Sequence, residues 1–202
     1  MRKKQPALSA AHCQVLQQPF YQFAQMKQFA PESIEGVKAQ YRAAWTDWRD
    51  FVLAVQAALA AQGIVFAAPH IERWCNGWQV RAHFFAFFKL PGFERDAPIL
   101  SLILNRKRFT VSLDWHAYKA AQSHISLAQY HQWLDQISQP QWTGWDLWRG
   151  KDSEYAEHNT VRAWQPAPSE WREPQDFYRI GRHLPRDELA EHDTLAWTVA
   201  RL

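Results

Sequence analysis

Trp78-Gln79-Val80-Arg81-Ala82-His83-Phe84-Phe85-Ala86-Phe87-Phe88 alternates Val80, Ala82, Phe84, Ala86 and Phe88 with Gln79, Arg81, His83, Phe85 and Phe87. Successive side chains of an extended backbone point to opposite faces. The stretch therefore reads as a strand with one apolar face and a second face that turns from polar to apolar along its length. Leu90-Pro91-Gly92 then turns the chain. Ile99 to Leu104 reads as a buried strand and Asn105-Arg106-Lys107 as a tip. Phe109 to Trp115 returns with Phe109, Val111, Leu113 and Trp115 on one face and Arg108, Thr110, Ser112 and Asp114 on the other. Together these make an antiparallel meander around residues 78–115.

Upstream the period changes from two to between three and four. Val37, Tyr41, Ala44, Trp45, Trp48, Val52, Val55 and Leu59 share one helical face, and Lys38, Arg42, Asp47, Arg49 and Asp50 fall largely on the other. This predicts a long helix over residues 37–62, stopped at Gly63. Ser9 to Phe29 also reads as helical, interrupted by Pro19. Downstream, Ser126 opens a helix whose apolar stripe is Leu127, Tyr130, Trp133, Leu134 and Ile137. A looser stretch follows, punctuated by Pro140, Pro166, Pro168 and Pro174 and carrying Trp142, Trp145, Trp148, Trp164 and Trp171. Thr160 to Trp164 and Phe177 to Ile180 are candidate short strands. Pro185 is expected to start a closing helix that buries Leu189, Leu195, Trp197 and Val199.

This order predicts an α+β fold, an antiparallel sheet packed against a long N-terminal helix and flanked by C-terminal helices. Residues 1–202 are expected to form one globular domain, with 1–8 as a flexible tail. Trp45, Trp48, Trp115 and Trp133 are expected to be buried.

The chain has twelve Trp, twelve Phe and six Tyr in 202 residues, with 47% hydrophobic and 21% charged residues, which excludes wholesale disorder. Indole rings serve equally in a packed core and in a stacking surface. The net charge of +3 permits an anionic partner without requiring one. Cys13 and Cys75 form no CxxC pair, so a reducing, cytoplasmic setting is expected. The apolar run after Met1-Arg2-Lys3-Lys4 is too short for a signal core, and nothing approaches the ~20 apolar residues of a membrane span.

Among chemistry-bearing patterns, Glu154-x-x-Glu157-His158 and Glu188-x-x-Glu191-His192 place Glu and His four apart. On a helix that spacing would put both ligands on one face, but the zincin motif needs a further His, and a solvated charged face explains both segments. No metal is therefore assigned. Arg81 with His83 on one strand, and Asp114 with His116 ending another, would form an acid–base or anion pocket if the strand ends met. There is no Gly-x-Ser-x-Gly elbow, and neither Walker nor dinucleotide pattern occurs, so no cofactor is implied. Arg106-Lys107-Arg108 at the predicted tip, with Lys89, Lys119 and the Arg2-Lys3-Lys4 tail as companions, would engage phosphates. The long helix followed by aromatic strands and Trp74-x-x-Gly77-Trp78 resembles, in texture over residues 37–118, small modules at the front of modification-dependent restriction systems, with no diagnostic motif shared.

The leading reading is a non-catalytic recognition module for nucleic acid, with Arg106, Lys107 and Arg108 holding phosphates and Arg81 and His83 lining the sheet face. A second is a small hydrolase or metal-dependent enzyme using His83, Asp114, His116 or the Glu-x-x-Glu-His segments. A third is a scaffold or partner-binding protein using the Trp-rich stretch from Gln139 to Pro174.

Overall fold

In the computed structural model the residues described are 6–164 and 176–202. The basic tail Arg2-Lys3-Lys4 and the positions Pro166, Pro168, Trp171 and Pro174 lie outside them. The long helix, α3, runs Ile34–Ala60 and buries Tyr41, Ala44, Trp48, Phe51, Val52, Val55 and Leu59. Those positions recur at steps of three and four, and each large side chain so buried contributes roughly 1.5–3 kcal/mol. Pro19 splits the preceding segment into α1, Ala10–Val15, and α2, Phe23–Phe29.

Seven strands form one antiparallel sheet in the order β1-β2-β3-β4-β7-β5-β6. They are β1 His70–Ile71, β2 His83–Phe88, β3 Pro98–Asn105, β4 Arg108–Trp115, β5 Asp146–Arg149, β6 Asn159–Thr160 and β7 Tyr178–Pro185. The meander has the expected tight tip, with Leu104 opposite Phe109 and Trp115 opposite Pro98. Phe84, Phe88, Leu102, Leu104, Phe109, Val111 and Leu184 share one face and form a core with α3, sealed by Leu8, Cys13 and Leu16 and by Leu195 of α5, Thr194–Val199. Trp48 packs against Phe51, Phe84 and Phe109 with ring centroids 6.2–6.3 Å apart. Trp115 is buried as well, while Trp45 and Trp133 are half-buried.

Several local expectations change. Trp78 to Ala82 is not strand, because the chain folds back at Asn76-Gly77 and forms only isolated bridges, Cys75 to Val80 and Gln22 to Gln79. The helix at Ser126 lasts one turn as α4, Leu127–Tyr130, capped by Ser126, and continues as a 3-10 helix over His131–Gln136. The closing helix does not begin at Pro185. Tyr178–Pro185 is instead a central strand between β4 and β5, and α5 starts only after Asp193, whose carboxylate accepts from the Leu195 and Ala196 amides. Tyr178, Ile180 and Leu184 alternate as a strand does; Arg182 and His183 mask the pattern. Trp142 and Trp145 pack edge-to-face on a second small core around Ile137, Leu147, Tyr178 and Ile180. Among the described residues no helix is long and apolar enough to cross a membrane.

Candidate nucleic-acid interface

The structure draws four of the five sequence-predicted site residues, all but Arg81, onto one loop. Arg108, only 5% exposed, donates from Nη2 to the carbonyls of Glu154 and Ala156. Lys107 Nζ donates to the Tyr155 carbonyl, and the Arg106 guanidinium lies 4.4 Å from the Tyr155 ring centroid. His83 pairs with Glu154 at 3.0 Å, and Arg81 faces Glu72 at 3.8 Å. Burial alone would depress the His83 imidazole, but the Glu154 hydrogen bond and charge raise it above its ordinary value. His83, Arg106, Lys107 and Arg108 therefore hold loop 150–158 against the sheet end, while Arg81 pairs with Glu72 outside it. Arg106 and Lys107 keep exposed side chains beyond it.

The second expected pocket does not assemble. His83 lies opposite Asn105, whereas Asp114 lies opposite Ile99, six positions further along β3. At ~3.4 Å per residue the two ends are roughly 20 Å apart. Asp114 instead binds Arg179 at 2.7 Å. Glu154-x-x-Glu157-His158 lies in a turn and not on a helix, and Glu188 to His192 runs from the end of a 3-10 turn into bends, so neither segment aligns Glu and His on one helical face. Among the described residues no group of three or more His, Cys, Asp or Glu is placed to hold a metal ion.

A different surface combines cations with aromatic rings. The Asn76 side chain accepts from the Gln79 amide at 3.1 Å and Gly77 takes φ +95°, a left-handed conformation suited to glycine. This turn is pinned to the segment before α2 through a Gln22–Gln79 bridge and a hydrogen bond from Phe23 N to Trp78 O. Trp78 is left 56% exposed. Between this turn, α2 and α3 lies an open groove of about 530 Å³ lined by Phe23, Lys27, Lys38, Arg42, Trp74 and Trp78 among others, with no Asp or Glu in its lining. Lys38 and Arg42 are one helical turn apart on α3; Lys38 sits over the Phe23 ring and Arg42 over Trp74. Lys38 also bonds Glu35 at the lip, 2.8 Å away.

A family model matches residues 8–202 of the chain. The chain belongs to that protein family. A protein of Haemophilus influenzae (strain ATCC 51907 / DSM 11121 / KW20 / Rd), described as an uncharacterized protein, is 44% identical over 187 residues, covering 93% of this chain and 89% of its own length. No solved structure matches the chain. The family match spans α1 to α5, so it includes both the groove and the loop clamp.

Sequence reasoning passed over Lys27, Lys38, Arg42, Trp74 and Trp78 as a set. A signal was present in Asn76-Gly77 flanked by two indoles, since that dipeptide marks a tight turn and a turn exposes its flanking rings. Nothing in the sequence indicated that the turn docks beside the cationic face of α3.

Proposed function

We propose that the protein is a non-catalytic recognition module that binds single-stranded nucleic acid in the groove between α2, α3 and the Asn76-Gly77 turn. The observation that carries this reading is the groove's composition: three cations and two indoles, one largely exposed, with no carboxylate in the lining. Cations along a groove engage phosphates, and an exposed indole stacks on a base only when that base is free of its own duplex partners. Arg81 connects this groove to the hairpin tip, since its amide donates to the Trp74 carbonyl while the neighbouring Ala82 carbonyl accepts from the Tyr155 hydroxyl. Arg106 and Lys107 are placed to extend the phosphate track beyond the groove. Both cysteines are free thiols, which supports the cytoplasmic setting.

Intrinsic fluorescence, titrated with single-stranded and duplex oligonucleotides at low and moderate salt, tests this. Saturable quenching by single strands that weakens steeply with salt is expected. Trp78→Ala should cost about 1–3 kcal/mol of binding, the range for one base–aromatic stack. Lys27→Ala and Arg42→Ala should each flatten the salt dependence, and Arg106→Ala should do so less because that side chain is already stacked on Tyr155. Equal or no quenching by every polymer at low salt would discard the nucleic-acid reading.

A further inference from the structure

The sheet face turned away from α3 is polar, yet Ser101, Asn105, Arg108, Thr110, Ser112 and Asp114 are all buried. Beside the loop clamp this face opens into a cleft of about 450 Å³ lined by Arg108, Asp146, Glu157, His158 and His183, with Lys107 and Arg186 at its basic side. Three nitrogens of its wall are buried without a hydrogen-bond partner: Arg108 Nε, His158 Nε2 and His183 Nε2. A buried polar nitrogen left without a partner is destabilising. Three on one cleft wall indicate that an acceptor belongs there.

Their chemistry specifies the acceptor. Burial, reinforced by the Arg108 charge, lowers the His158 imidazole to about 4 and the His183 imidazole to about 2, so both are neutral at pH 7. The Thr110 hydroxyl lies 2.8 Å from His183 Nδ1; in the tautomer in which the hydroxyl donates to Nδ1, the ring proton sits on Nε2. The His158 ring is stacked on Trp148 at 4.7 Å and 8°, which fixes its plane. Of the three carboxylates lining the cleft, Asp187 stands beside Arg186. Asp146 Oδ2 lies 3.9 Å from His183 Nε2, beyond hydrogen-bond reach, and burial raises its carboxyl against the pull of Arg182 and Arg108. Glu157, whose side chain is 91% exposed, reaches only to 4.0 Å from Arg108 Nη1. It is a loosely placed carboxylate on a buried guanidinium, and an entering anion displaces it at little cost.

We infer that this cleft is a binding site for a small oxyanion, a carboxylate or phosphate group, held by Arg108 with His158 and His183 as neutral donors and exchanging with the Glu157 carboxylate. It is separate from the groove of α2 and α3 and does not depend on the nucleic-acid reading.

Isothermal titration calorimetry of the full chain at pH 7 with inorganic phosphate and, separately, with malonate tests the site and distinguishes the two sources of oxyanion. Saturable one-site binding of either is expected. His158→Phe keeps the ring stacked on Trp148 and removes the donor, so it should weaken binding about tenfold, the scale of one charge-assisted hydrogen bond; His158→Gln should restore part of it. Glu157→Gln removes the competing carboxylate and should tighten binding, a direction that damage to the fold does not produce. Circular dichroism of each variant confirms folding, and Trp78→Ala should leave oxyanion binding unchanged. Absence of saturable heat with both anions in the folded wild type overturns the site. So does an affinity that ignores both His158→Phe and Glu157→Gln.

Discussion

Gly181 shows how far a single residue governs this face of the sheet. A Cβ there would collide with the Val111 carbonyl oxygen, and would lie 2.7 Å from Ser112 Cβ and 2.9 Å from the Trp148 ring. The missing side chain is what lets the Trp148 indole cross β7 and support His158. Gly181→Ala is expected to destabilise the protein by about 1–3 kcal/mol through overpacking, read as a lower urea midpoint with the slope unchanged. The sequence offered no sign of this, since an isolated glycine in a strand pattern marks close approach without naming the approaching group. Arg108 is the opposite case: its basic character was legible, but its burial was not. In sequence it stands beside Arg106 and Lys107 as one of three apparent phosphate ligands. In the fold it begins β4 on the face turned away from α3, beneath loop 150–158, and its Nη2 donates to two loop carbonyls.

At the scale of elements, loop 150–158 and β7 together contribute to the acid sensitivity of the molecule. His158 and His183 are held neutral in the folded state, with values depressed to about 4 and about 2 by burial and by the Arg108 charge. Unfolding returns both to the ordinary value near 6.5. The unfolded chain then binds more protons at acid pH, so the stability these groups allow is present above about 6.5 and drains away as pH falls, for His158 down to about 4. His83 has the opposite sign: its value is raised, so the stabilisation from Glu154 is present below its ordinary value and is lost as pH rises past the folded one. A thermal melting series should show Tm falling as pH drops from 6.5 toward 4. His158→Phe should shallow that acid limb, and an unchanged limb would remove His158 from this role. The helix α3 and the three-strand meander were legible because their periods are uninterrupted over many residues. β7 was largely hidden because Arg182 and His183 break its alternation.

For the whole molecule, described segments from early and late in the sequence meet on one core. The amide of Leu8 donates to Thr194 Oγ1 at 3.0 Å, both residues are buried, and α1 and α5 each pack on α3. The sheet is closed in the middle by a strand from the far end of the sequence, β7, next to β4. Elements that share one core and one ladder are expected to unfold together. Melts followed by far-ultraviolet circular dichroism and by tryptophan fluorescence should coincide at one midpoint; two separated transitions would divide the chain into independent units. The α+β class, the long aromatic helix and the antiparallel meander follow from the sequence, because they rest on local periodicity and each residue's face is decided by its near neighbours. The placement of Trp78 in one groove with the cationic side of α3, the placement of Arg108 beneath loop 150–158, and the joining of His158 and His183 into one cleft were decided only by tertiary structure. Each depends on residues tens of positions apart, and periodicity carries no information about which distant surfaces meet.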